Sequence, residues 1–148
     1  MRKLLLVTLV ALTACSSHSG NYTKVSDAYN VQMADDSASR LAAIYPPAST
    51  RLTLSQKTGD AYGTELVKKL HEKGYALEES NVWFSNTPKN TDTSTKPPVS
   101  STKLSYVVDP VGEQLYRVKL TIGPAVLSRV YSITNNIIAP AGSWTRKE

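Results

Sequence analysis

Leu115-Tyr116-Arg117-Val118-Lys119-Leu120-Thr121-Ile122 alternates without a break. Tyr116, Val118, Leu120 and Ile122 fall on one side of an extended chain, and Arg117, Lys119 and Thr121 on the other. A strand with one apolar and one wet side belongs to an antiparallel sheet covered on a single face. The neighbouring residues continue the theme. Upstream, Leu104, Tyr106 and Val108 alternate with Ser105 and Val107, and Asp109-Pro110-Val111-Gly112 reads as the turn into 115–122. Downstream, Gly123-Pro124 turns the chain into a further strand, Val126 to Tyr131. Asn135-Asn136 turns it again, and Ile137 to Trp144 reads as a short edge strand or extended arm, because Pro140 and Gly142 suit an edge.

Two helices precede this meander. From Asp27 to Tyr45 the apolar residues Val31, Ala34, Ala38, Leu41, Ala42 and Tyr45 recur at three and four, leaving Asp35, Asp36, Ser39 and Arg40 off the stripe. Pro46-Pro47 should end that helix, since neither proline has an N–H to give. Arg51 to Ser55 alternates as a strand. Asp60 is placed to cap a second helix, Ala61 to Lys73, with Tyr62, Leu66, Val67 and Leu70 inward and Glu65 and Lys69 spaced for an i,i+4 pair. Gly74 follows a cationic last turn, the usual helix exit. Tyr75-Ala76-Leu77 then opens a strand. Residues 85–102 are rich in Ser, Thr, Asn, Lys and Pro and are expected to form a mobile insertion that the fold does not need. The expected fold class is α+β: a small two-layer sandwich with two helices packed on a mainly antiparallel sheet.

The N-terminus carries a different kind of signal. Met1-Arg2-Lys3 is cationic and Leu4–Leu12 is apolar, too short to span a bilayer but right for a secretory signal. Leu12-Thr13-Ala14-Cys15 has the form of a lipobox: small residues let a peptidase approach the backbone, and the cysteine thiolate can take a diacylglyceryl group as a thioether. Cys15 is the single cysteine in the chain, so no internal disulfide can form. The expected organisation is a signal at 1–14, a lipidated N-terminus and spacer at 15–26, and one periplasmic domain at 27–148. Ser16, where an aspartate would resemble an inner-membrane retention signal, favours the outer membrane. Loss of Arg2 and Lys3 with the signal takes the net charge from +5 to +3, too little and too scattered to argue for nucleic acid.

Chemistry-bearing patterns are sparse. His18 and His71 have no ligands at metal spacing, and no metal or cofactor is expected. No Gly-x-Ser-x-Gly elbow and no phosphate-cradling glycine pattern occurs. Glu78 and Glu79 are strand neighbours and should point to opposite faces. No enzymatic activity is expected. The eight tyrosines read mostly as core packing with the hydroxyl at the rim. Trp144, beside Arg146 and Lys147, serves equally as a docking anchor for a partner or as a closure of the sheet edge.

Several stretches resemble the TrbH family of conjugal transfer lipoproteins. They are the lipobox, Leu41 to Arg51 with its Tyr45-Pro46-Pro47-Ala48 core, Leu70 to Leu77, Tyr116-Arg117-Val118 with Leu127-Ser128-Arg129 and Tyr131, and Ile138 to Glu148 with its Ala139-Pro140-Ala141-Gly142-x-Trp144 run. The insertion at 85–102 has no counterpart. The resemblance implies an outer-membrane lipoprotein with a structural role in a mating-pair-formation (type IV secretion) apparatus. Its implied partners are other secretion-channel subunits, in ring assembly, and the membrane through Cys15. The competing expectation is an envelope lipoprotein that binds or regulates lipopolysaccharide or peptidoglycan machinery, using Lys68, Lys69, Arg117 and Lys119.

Overall fold

The alternating segment at 115–122 is the middle of the sheet. A computed structural model of the chain describes residues 19–79 and 100–148; the signal segment, Cys15, His18 and residues 80–99 of the expected insertion region lie outside them. In chain order the elements are β1 (Gly20–Asn21), α1 (Asp27–Ile44), a 3-10 turn (Pro47–Ser49), β2 (Arg51–Leu54), α2 (Ala61–Glu72), β3 (Ala76–Glu79), β4 (Thr102–Gly112), β5 (Leu115–Ile122), β6 (Ala125–Thr134), β7 (Ile137–Pro140) and β8 (Thr145–Lys147). The fold is α+β, with two helices over one face of a mainly antiparallel sheet, as the residue pattern predicts.

The antiparallel meander β4-β5-β6 forms the centre, and each of its outer edges is divided between two short strands. On β4, β2 pairs in parallel at Thr102–Leu104 and β1 in parallel at Val107–Val108. Between them, Ser55 N–H donates to the Leu104 carbonyl (2.9 Å) and the Gln56 side chain accepts from Tyr106 N–H (2.9 Å), so the β4 edge stays bonded across the join. On β6, β8 takes Val126–Ser128 and β7 takes Tyr131–Thr134, with Ala141 N–H donating to the Val130 carbonyl between them. β3 extends the sheet beyond β2 in parallel.

The core lies between the helices and one sheet face. Met33, Ala34, Ala38 and Leu41 of α1 and Tyr62, Leu66 and Leu70 of α2 meet Leu52, Leu54, Leu104, Tyr106, Val108, Val118, Leu120, Ile122, Leu127 and Tyr131, all buried. The inward set of α2 is the expected one, with Val67 only partly buried. That of α1 is displaced in part: Ala34, Ala38 and Leu41 are buried as expected and Ala42 and Tyr45 partly so, but Asn30, Met33 and Ser37 join the inner face and Val31 is exposed. Two polar residues can take inner positions because each is bonded there. Ser37 Oγ donates to the Met33 carbonyl (2.7 Å) and accepts from the Tyr62 hydroxyl (2.8 Å), and Asn30 accepts from the Asn21 amide (3.0 Å).

The start of α2 shows why its residues were legible. Asp60 Oδ1 accepts from Gly63 N–H (2.9 Å), as an N-cap should, and Oδ2 accepts from the Tyr106 hydroxyl (2.5 Å), fastening the helix to β4. The Tyr106 and Tyr62 rings meet at 5.1 Å. A Cβ on residue 63 would lie 2.0 Å from the Tyr106 hydroxyl, so Gly63 is required by close approach. At the other end Gly74 (φ 87°) closes a Schellman motif: Tyr75 N–H bonds the Leu70 carbonyl and Gly74 N–H the His71 carbonyl.

Other expectations need adjusting. The spacer expected up to residue 26 contains β1, and Tyr22 N–H donates to the Val108 carbonyl (2.8 Å); a two-residue bridge carries no periodic pattern to betray it. β4 runs on through Asp109-Pro110-Val111-Gly112, with an irregularity between Pro110 and Gly112, and the reversal falls instead at Glu113-Gln114, where Gln114 adopts φ 53°. Thr102, assigned to the end of the insertion, is the first residue of β4. Lys69 pairs with Glu72 (3.0 Å) and Asp35 (3.8 Å), while Glu65 pairs with Lys68 (3.5 Å).

Candidate functional site

The most elaborate polar constellation stands where α1 crosses β6 and the C-terminal arm. Asp36 projects from the middle of α1 towards the sheet. Its carboxylate accepts from Arg129 Nη1 (2.8 and 3.0 Å), from the Tyr131 hydroxyl (2.5 Å) and from the Trp144 indole N–H (3.2 Å). Arg129 and Tyr131 reach it because both lie on the helix-facing side of β6, two residues apart. The Arg129 guanidinium also donates through Nε to the Gly142 carbonyl (2.9 Å) and sits 5.9 Å from the Tyr131 ring centre. Burial, then the bond to Asp36, holds the Tyr131 phenol protonated far above the ordinary tyrosine range.

One carboxylate thereby gathers a helix, a strand and the arm that leads into β8. A carboxylate committed to a guanidinium and two neutral donors acts as an anchor. Trp144, half-buried against the core, immediately precedes β8, which pairs with β6. Arg146 and Lys147 remain exposed on that strand. Arg146 lies 5.8 Å from the Tyr45 ring centre and pairs with Glu148. Of the three residues expected to dock a partner, Arg146 and Lys147 thus lie exposed on β8, and Trp144, just before it, has its indole bonded inward to Asp36.

Asp36 is the residue that the sequence reading missed. It was set off the apolar stripe, and nothing in the local pattern links it to Arg129, 93 positions away. The structure also disperses the four cations expected to make a polyanion patch. Lys68 and Lys69 lie on α2, paired with Glu65 and Glu72, and the bond from Glu72 raises the Lys69 pKa. Arg117 and Lys119 lie on the opposite, helix-free side of the sheet, and Arg117 pairs with its cross-strand neighbour Asp109. Glu78 and Glu79 point apart, Glu78 to Arg51 (3.3 Å) and Glu79 to Thr58 (3.5 Å).

Shallow cavities lie at two places among the described residues. One of about 220 Å³ lies between the helix N-termini, beside Asp27, Val31, Ala61 and Glu65. The other, about 290 Å³, lies beside Pro47, Ser49, Arg51, Ala76 and Ser100. Among the described residues, no group of three His, Cys, Asp or Glu side chains could hold a metal ion, and no helix is long and apolar enough to cross a membrane.

The model of the family described as conjugal transfer protein TrbH matches residues 13–148. No curated protein and no solved structure matches the chain.

Proposed function

The chain belongs to the TrbH family of conjugal transfer proteins, and on that premise we propose that it is an outer-membrane lipoprotein subunit of a conjugative type IV secretion apparatus. Its role there is structural and non-enzymatic. Lipid on Cys15 anchors the chain with its domain in the periplasm, and β8, with Arg146 on its helix-facing side, offers an edge to other channel subunits. Repetition of the subunit in a ring multiplies weak contacts by raising effective concentration.

The observation that carries this reading is the extent of the family match. It begins at Thr13, inside the lipobox, and so takes in Cys15 as well as the whole folded domain. The organisation of the domain supports it: its densest polar network holds a terminal arm in place. The regulator of envelope polymers gains no support, because the cations that it needs lie on opposite sides of the sheet and three of its four residues have carboxylate partners.

Cys15→Ser tests the anchor. The thioether cannot form, so the variant should leave the membrane fraction and plasmid transfer should fall. Unchanged membrane retention of Cys15→Ser would contradict the proposal.

A further inference from the structure

The two faces of the sheet are not alike in charge. On the helix-covered side, the helices and their caps carry Asp27, Asp35, Asp36, Asp60, Glu65 and Glu72 against Arg40, Lys68, Lys69 and Lys73, an acidic excess. The helix-free face carries Arg51, Lys103, Arg117, Lys119 and Lys147 against Glu78 and Asp109. Both of those acids are neutralised, by Arg51 and Arg117. Among the described residues Lys103, Lys119 and Lys147 have no carboxylate partner, one on each of three strands. Among them lie the half-buried Val107, Val126 and Val130, over which no described element packs.

The place where the fold begins adds a second constraint. Gly20 is fixed in the sheet opposite Val107, a helix-free-face residue. From Cys15 to Gly20 is five residues, a reach of about 17 Å when fully extended. A helix with its side chains is ~10–12 Å thick. To lay the helix layer on a membrane, the chain from Gly20 would have to climb past that layer and would use most of its length. The helix-free face lies within easy reach.

We propose that the helix-free face of the sheet rests on a bilayer containing anionic phospholipid, with Lys103, Lys119 and Lys147 at the headgroup phosphates and the valines between them against the interface. This placement rests on the lipid-anchor reading above. It makes the lipid and the lysines two signals for one surface, and the short spacer holds the domain flush to the membrane. Each lysine near an anionic surface is worth roughly five-fold in partitioning, so the three also fix which way the domain faces.

The test uses the full lipidated chain in vesicles of phosphatidylethanolamine and phosphatidylglycerol, in phosphatidylcholine vesicles, and in detergent micelles. Amine-reactive labelling is read lysine by lysine. In the anionic vesicles, labelling of Lys103, Lys119 and Lys147 should fall by at least about five-fold relative to micelles, and Lys68 and Lys73 should keep theirs. High salt should restore part of it, and Lys119→Glu should restore Lys103 and Lys147. A chain that floats with the anionic vesicles but labels alike on both faces overturns the placement alone. A chain that does not float with any vesicle overturns the anchor and the placement together. Protection seen in native envelopes and not in protein-free vesicles assigns the face to a protein partner, which also overturns it.

Discussion

Two aspartates tie the helices to the sheet, and they do it in different ways. Asp60 stands at the start of α2, caps it through Gly63 N–H and receives the Tyr106 hydroxyl from β4. Asp36 stands in the middle of α1, caps nothing, and receives Arg129, Tyr131 and Trp144 from 93 to 108 positions away. The first fixes a helix that its own sequence already favours. The second fixes an arrangement that no local preference specifies: the angle of α1 on β6 and the position of the C-terminal arm. Local devices stabilise elements, and the long-range one fixes how α1, β6 and the C-terminal arm meet.

The largest effect should come from Gly63→Ala at the local corner. The new Cβ meets the Tyr106 hydroxyl, which must leave its place on Asp60, and overpacking of this kind costs about 3 kcal/mol. Thermal unfolding should show a Tm drop of roughly 10 °C. Asp36→Ala should follow at about 2 kcal/mol, because it leaves Arg129 and two neutral donors without their acceptor. Asp60→Ala should cost about 1.5 kcal/mol, the sum of a lost cap and one lost hydroxyl bond. The pair differ more sharply in a second readout. In a Trp83→Phe background, Trp144 emission should shift to the red in Asp36→Ala and stay in place in Asp60→Ala. Equal shifts would mean that the arm is not held by Asp36.

Alkaline pH offers the smallest, graded test. Tyrosines of the unfolded chain ionise near 10.0, whereas burial holds Tyr62, Tyr106 and Tyr131 neutral well above that and pushes Tyr75 up to about 12. Above pH 10 the unfolded chain therefore binds fewer protons than the native one, and stability falls as pH rises. Denaturant midpoints should hold steady up to pH 10 and then decline. Tyr131→Phe should lessen that decline by about 1 kcal/mol over the next pH unit. A midpoint independent of pH up to 11.5 would show that these phenols are not buried as described.

What was legible follows the same division. The 115–122 alternation, the Asp60 cap, the Gly74 exit and the proline stop after Tyr45 are each read within a few residues, and each is found in place. The inner face of α1 extends beyond its expected stripe to Asn30, Met33 and Ser37, because an alanine-rich stripe discriminates faces weakly and because Asn30 and Ser37 find partners that the local pattern does not show. β1 was hidden in an apparent spacer, since Gly20 and Asn21 are held by β4 and not by their own propensity. The Asp36 network was invisible for the most basic reason: its members are brought together by the tertiary fold. Family membership, in contrast, was carried by short runs such as Tyr45-Pro46-Pro47-Ala48 and the stretch ending at Trp144, whose order along the chain matters and not their contacts.

That this protein works as a lipid-anchored subunit of the conjugation channel is the proposal to be tested. Its most direct test is a pull-down from detergent-solubilised envelopes of mating cells, with an affinity tag placed within residues 86–101. The account predicts recovery of secretion-channel subunits with the bait, and weaker recovery with Asp36→Ala, whose β8 arm is released. Recovery of lipopolysaccharide or cell-wall machinery without channel subunits would contradict it.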